Sequence, residues 1–161
     1  MSLIDSKTYY KTIKDAIITL LRANMAALNT SLTEGTFTAN TQIVGGNPIT
    51  IPVPLSIYPI IMVDYVSKTE DFLNIGNSGR KRPTLIYRVF AVARKTTSAN
   101  DANDEIGILT GNIEGVFRDN IDISGTVLYS QPINADFGLM EDKSVYVNVV
   151  AIDLQVIVEI K

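Results

Sequence analysis

Gly76-Asn77-Ser78-Gly79-Arg80-Lys81-Arg82 is the first stretch whose composition suits ligand binding, because glycines beside basic groups can cradle a phosphate. A phosphate-binding loop needs two glycines bracketing four residues, then a lysine and a hydroxyl residue, between a strand and a helix. Here the spacing differs, no hydroxyl follows the basic residues, and Pro83 opens a strand instead. The stretch therefore reads as an exposed loop whose basic tip, Arg80, Lys81 and Arg82, suits an acidic partner or DNA phosphates. Carboxylates cluster at Asp101, Asp104 and Glu105 and again at Asp136, Glu141 and Asp142. Converging carboxylates can hydrolyse glycosides or hold magnesium. The first set is already accounted for by the start of a helix, and the second by a solvated turn.

The chain contains no cysteine and no histidine. That excludes disulfides, cysteine-ligated zinc, iron–sulfur clusters, thiol nucleophiles and any triad with an imidazole base. A Ser–Lys dyad at Ser67-Lys68 fails because adjacent residues of a strand point to opposite faces. No catalytic group, metal site or cofactor is expected, and the chain reads as a non-enzyme. Gly107, Gly111 and Gly115 recur every four residues along a helix, on the side that also holds Ile108. Each glycine costs roughly 1 kcal/mol relative to alanine. The ridge is thus either a tolerated solvent face or a place for close approach by another backbone.

The elements that would position these groups follow from periodicity. Ile13, Ala16, Ile17, Leu20, Leu21, Asn24 and Leu28 form one stripe of a helix over Asp5 to Leu28, capped by Asp5 or Ser6, with Lys7, Lys11, Lys14 and Arg22 opposite. Residues 29–58 turn to Thr, Asn, Gly and Pro, and Gly45-Gly46-Asn47-Pro48 lies between the short runs Gln42-Ile43-Val44 and Ile49-Thr50-Ile51. Pro52, Pro54 and Pro59 cannot donate to a ladder, so this reads as an extended arm or marginal hairpin reaching beyond its own core. Strands are expected at Ile60 to Tyr65 and Thr84 to Lys95, joined by a long polar loop. In the second, Leu85, Tyr87, Val89, Ala91 and Ala93 share one face, and Ile86, Arg88, Phe90, Val92 and Arg94 the other.

A second helix is expected over Ala99 to Arg118, capped by Ser98, Asn100 or Asp101, with Ile106, Leu109, Ile113, Val116 and Phe117 facing the core. Strands at Gly125 to Phe137 and Ser144 to Ile160 close the chain. In the last, Val145, Val147 and Val149 alternate on odd numbers, whereas Ile152, Leu154, Val156, Val158 and Ile160 alternate on even ones. A bulge near Val150-Ala151, or a bend between surfaces, would produce that switch. The order predicts an α+β fold, a mostly antiparallel sheet with two helices packed on one face plus the arm, in a single domain over residues 1–161.

Composition agrees with an ordered protein: 46% of residues are apolar and 19% charged, and mean hydropathy is +0.18. The net charge of −3 argues against a surface that grips nucleic acid all over. Neither a secretory signal nor a run long enough to span a bilayer is recognisable, so a soluble chain made in the cytoplasm is expected, with no membrane partner.

The order of elements carries one resemblance. The amino-terminal helix, the strand Tyr58-Pro59-Ile60-Ile61-Met62-Val63, the polar loop and the strand Leu85-Ile86-Tyr87-Arg88-Val89-Phe90-Ala91-Val92 come first. With the helix around Asp104 to Arg118 and two closing strands, the chain resembles the tail terminator (tail completion) proteins of long-tailed bacteriophages. The likeness is topological and extends over nearly the whole chain; the insertion at 29–58 departs from it. It implies a virion protein forming a homo-oligomeric ring, usually a hexamer, at the head-proximal end of the tail tube. That ring would stop tube polymerisation, meet a head-side connector protein, and let DNA pass through an acidic lumen. Under the resemblance Arg80, Lys81 and Arg82 contact a partner protein, and Arg88 and Arg94 pair across subunits or with Asp153 and Glu159. Alternatives are another head–tail neck or connector protein, a tail tube protein, or a small carboxylate-based enzyme or ligand-binding module.

Overall fold

A computed structural model describes residues 4–47, 58–72, 80–95, 98–140 and 146–160. Its helices are α1 (Tyr9–Ala23), the single-turn α2 (Met25–Leu28) and α3 (Ala99–Asp119). Its strands are β1 (Ile43–Gly45), β2 (Ile60–Phe72), β3 (Lys81–Lys95), β4 (Tyr129–Met140) and β5 (Tyr146–Ile157). They form one five-stranded sheet in the order β1-β2-β3-β5-β4, antiparallel except for the β1–β2 pair. The fold is α+β, with α1 and α3 on the same face of the sheet.

That face holds the main core. Ile13, Ile17 and Leu21 of α1 and Ile106, Leu109, Ile113 and Phe117 of α3 pack on the odd-numbered side of β3 (Leu85 to Ala93) and the even-numbered side of β5. Both helices bury the stripes their periodicity marks. The α1 helix starts later than expected, with Thr8 rather than Asp5 or Ser6 at its N-cap. It also breaks at Asn24, whose side-chain amide folds back to donate to the Leu20 carbonyl at 2.8 Å. In α3 the cap is Ser98, whose hydroxyl accepts from the Asp101 amide at 3.1 Å.

Register explains the hydrophobic switch in the last strand, and no bulge is involved. β5 runs opposite β3 without interruption from Tyr146↔Lys95 to Ile157↔Thr84. The opposite sheet face has its own buried cluster, Ile60, Met62, Phe90, Val92 and Val147, with Val149 and Ala151 against it. Odd positions near the start of β5 serve that cluster, and even positions further along serve the helix-side core. The bulges lie elsewhere, at Val66 in β2 and Ile133 in β4, where a residue is skipped between paired neighbours.

The loop between β2 and β3 is shorter than expected. Pairing continues to Phe72↔Lys81, so Lys81 and Arg82 belong to β3 rather than to a loop tip, and Pro83 is buried within the strand. Residues 73–79, including Gly76 and Gly79, lie outside the described residues. The strand expected from Gly125 starts at Tyr129, because Ile123, Ser124 and Gly125 all have positive φ (47°, 56° and 78°) and form a turn. Ile123 tolerates this conformation while fully buried.

The expected arm divides in two. Residues 48–57, including the Ile49-Thr50-Ile51 half of the marginal hairpin, lie outside the described residues. Residues 29–47 do not reach away: Phe37 and Ile43 are buried in the main core, and Ile43–Gly45 pairs in parallel with Ile61–Val63. Polar side chains hold this irregular stretch. Asn29 exchanges two bonds with the Phe37 backbone (2.6 and 2.9 Å), and the Asn112 amide donates to the Leu28 and Thr30 carbonyls (2.9 and 2.8 Å). Buried Gln42 accepts from the Thr38 and Ala39 amides (2.7 and 2.9 Å) and donates to the Thr36 and Pro59 carbonyls (both 3.1 Å). Buried Glu105 accepts from the Thr33 amide (2.8 Å), the Glu34 amide (3.3 Å) and the Thr33 hydroxyl (3.2 Å).

Glu105 thus anchors the segment as well as sitting near the start of α3. Removing a charged acceptor from buried donors costs about 2–3 kcal/mol. Glu105→Ala should lower the unfolding free energy by about that much in urea titrations, and Glu105→Gln by less, since the amide oxygen still accepts. Equal, near-zero losses in both variants would show that the segment does not depend on this side chain.

Candidate functional site

With both sheet faces occupied or polar, the exposed large apolar side chains sit at the two edges. At one edge, β1 flanks β2 only over Ile61–Val63, so the rest of β2, from Asp64 onward, lies beyond it. Beside that open stretch the start of α1 makes a groove. Tyr9 and Tyr10 stack with centroids 4.2 Å apart, Tyr10 meets Tyr65 edge-on at 6.2 Å, and Tyr65 lies 5.7 Å from Tyr87. The Lys14 ammonium sits over the Tyr65 ring, 4.6 Å from its centroid. Hollows of about 410 and 240 Å³ share Tyr10 and Tyr65 in their walls, and one of about 480 Å³ lies next to them against Tyr10, Lys68, Glu70 and Lys81. Tyr65 and Val66 are 44% and 45% exposed.

Burial and ion pairing set the electrostatics around this groove. Burial, with help from Tyr10, pushes the Tyr9 phenol up to about 12, and burial also raises Tyr87, whose hydroxyl donates to the Tyr10 carbonyl at 2.9 Å. Lys68 is raised by its hydrogen bond to Glu70 (2.9 Å), and the same bond holds the Glu70 carboxyl below its ordinary value. Lys81 approaches the other Glu70 oxygen at 3.6 Å, and Lys11 bonds Asp15 one turn along α1.

The other edge is β4 with the turn before it. Phe137 and Ile133 are 57% and 49% exposed, and Tyr129, Leu128 and Ile121 are also exposed. The turn is tied to the strand by the Ser130 hydroxyl, which donates to the Ile121 carbonyl at 3.0 Å. From Asp119 to Met140 the chain carries Asp119, Asp122 and Asp136 and neither lysine nor arginine.

The expected site residues are scattered. Arg88 is satisfied within the chain by a two-pronged bond to Asp153 (2.8 and 3.2 Å), which keeps its guanidinium charged, with Asp136 and Asp64 adding to the field. Glu159 is taken by Arg82 at 3.0 Å, and Arg94 sits half-buried opposite Val147. Arg80 is exposed. Side chains added at Gly107, Gly111 and Gly115 would meet nothing within 4 Å, so the ridge beside half-buried Ile108 is open.

Of the carboxylates, Asp101 and Asp104 stay near the start of α3 while Glu105 is buried. Asp136 lies on a strand rather than in a turn, and Glu141 and Asp142 lie outside the described residues. Among the described residues no three carboxylates gather as a metal site would require. Ser67 and Lys68 take opposite faces of β2, as expected. Sequence reasoning missed the tyrosine groove, because Tyr9-Tyr10, Tyr65 and Tyr87 belong to separate elements. Tyr10, three residues after Lys7 and four before Lys14 on the exposed side of α1, was the available signal.

The chain matches no protein-family model and no curated protein. Among solved structures, a chain from the virion of a native gene transfer agent particle is similar, with a TM-score of 0.47 and 12% identity over 91% of this chain and 94% of that one. No helix among the described residues is long and apolar enough to cross a membrane.

The depressed Glu70 carboxyl has a pH consequence. A carboxyl lowered from 4.5 stabilises the fold fully above that value, and the contribution drains away as pH falls through the lower folded value. Urea midpoints of Glu70→Gln should therefore fall less on the acid side of pH 4.5 than those of the unaltered chain. Parallel acid limbs would contradict the Lys68–Glu70 pair.

Proposed function

We propose that this chain is a structural virion protein that assembles into a ring at the head-proximal end of a phage tail tube, ending tube growth and joining the tail to a head-side connector. The observation that carries the assembly part is the placement of exposed apolar side chains at opposite edges of one sheet, Tyr65 and Val66 on β2 against Ile133 and Phe137 on β4. Two unlike patches that meet each other across subunits make a head-to-tail contact, which closes into a ring when the rotation between subunits permits. The tail-end assignment rests on the element order that resembles tail terminators.

Supporting features are of the same kind. The described surface presents stacked phenols and paired charges in place of convergent reactive groups. The uncovered α3 face at Gly107, Ile108, Gly111 and Gly115, together with Arg80, is left for partners above and below the ring. Arg88 and Arg94 border the outer sheet face, where Arg88 steadies the register through Asp153. A net charge of −3 favours a lumen along which DNA slides without sticking.

The purified chain should run in native mass spectrometry or light scattering as one closed species of fixed stoichiometry and should arrest growing tail tubes when added to them. Open-ended polymers of the chain alone would make it a tube protein instead. A monomer at high micromolar concentration would remove the ring, and turnover of a small molecule lost on Asp101, Asp104 and Asp136→Asn substitution would replace it with an enzyme.

A further inference from the structure

The outer face of the sheet, opposite the helices, is more deeply buried than its described neighbours explain. Ile60 and Met62 of β2, Phe90 and Val92 of β3 and Val147 of β5 are between 1% and 8% exposed within a single chain. Val44, Val149 and Ala151, which pack against them, are strand residues beside the cluster, and among the described residues Tyr58 alone joins it from outside the strands. Strand neighbours do not cover a face from above. Further along the same surface the Arg88 side chain is 35% exposed. Another part of this chain therefore lies over the cluster.

Topology singles out the segment. β1 and β2 are adjacent and parallel, so the chain from Gly45 to Ile60 has to cross one face of the sheet, over the dozen or more residues that such a crossover takes. On the helix side the way is filled, because Ile13, Ile17 and Leu21 of α1 share the core with Ile43, Ile61 and Val63. On the outer side both ends of the crossing already touch the cluster, Val44 before it and Tyr58 after it. Gly45 lies beside Val63, so the two ends are about 10 Å apart along β2. Extended chain over residues 48–57 reaches about 33 Å. That suffices to run out over β3 and β5, about 10 Å from β2, and to return.

The chemistry of the segment matches the face. Its odd positions are Ile49, Ile51, Val53, Leu55 and Ile57, and its even ones Pro48, Thr50, Pro52, Pro54 and Ser56. Extended chain with this alternation has one wholly apolar side. The prolines donate to no ladder, so packing through side chains suits it better than a place as a further strand. The competing segments are poorly placed or polar. The β2–β3 hairpin closes at Phe72↔Lys81, and Ile4 and Ile160 meet near Lys81, all at the opposite end of β2 from Ile60. Residues 96–97 and 141–145 hold one apolar residue, Val145.

We propose that residues 48–57 lie across the outer face of their own sheet as extended chain, with Ile51, Val53 and Leu55 packed on the Met62–Phe90–Val92 cluster and the prolines turned outward. The segment then serves as a second layer of the domain, and this part of the sheet is not offered to a partner protein. The proposal is independent of ring assembly.

The chain has no cysteine, so single introduced thiols report exposure without background. In the folded chain Ile51→Cys, Val53→Cys and Leu55→Cys should react with a maleimide about tenfold or more slowly than Thr50→Cys and Ser56→Cys, and all five should react alike in urea. Equal rates at odd and even positions of the folded chain would overturn the proposal. So would odd positions that become reactive on dilution, which would put the segment on a neighbouring copy. In a second measurement residues 49–56 are replaced by Gly and Ser at equal length. Val92→Cys should gain about tenfold or more in reactivity on that replacement, while Ala91→Cys on the helix side stays protected. Unchanged protection of Val92→Cys would mean that another segment lies there, and would also overturn it. If the replacement unfolds the chain, the odd–even comparison decides, because it needs only point substitutions. A monomeric chain with the odd–even pattern would fail the ring reading and leave this one standing.

Discussion

Strand β3 imposes the main constraint on this molecule. It is the middle strand of the sheet, paired along its length with β2 and β5, and it is apolar on both faces. Burying one large apolar side chain is worth about 1.5–3 kcal/mol, whereas an exposed ion pair contributes about 0–1 kcal/mol. Covering both faces of β3 therefore outweighs any arrangement of the surface charges. The helices cover one face, and the Ile60–Met62–Phe90–Val92–Val147 cluster occupies part of the other. Where the second face turns polar, Arg88–Asp153 and Gln131–Gln155 bridge neighbouring strands and favour their register.

A second consequence concerns the segment between α2 and β2. It has too few regular elements to satisfy its own backbone, so side chains do that work: Asn29 within the segment, Gln42 toward Thr36 and Pro59, and Glu105 and Asn112 from α3. These bonds tie the irregular chain to the same core that receives Phe37 and Ile43. Glu105 and Asp104 are neighbours on one helix, yet one is buried against backbone amides and the other exposed. The position of each relative to the crossing segment decides the difference.

With the faces committed, the edges carry what remains of the apolar surface. The exposed large apolar side chains gather where β2 outruns β1 and along β4 with the turn before it. Buried Tyr9 and Tyr87 back the exposed Tyr10 and Tyr65 rings, and the Lys14 ammonium lies over the Tyr65 ring.

Local periodicity alone determined α1 and α3, the inward faces of β3 and β5, and the α+β class, because each rests on apolar side chains recurring within a single element. The absence of cysteine and histidine likewise settled which reaction chemistries the chain lacks. Tertiary structure alone decided matters that depend on what lies across the chain. The alternation switch in β5 is a second buried face, not a bulge, because register against β3 is continuous. Lys81 and Arg82 are strand residues because pairing with β2 persists to Phe72. The tyrosine groove exists because α1 packs beside the open stretch of β2, bringing together side chains more than fifty residues apart, a proximity that no repeat or spacing along the chain encodes.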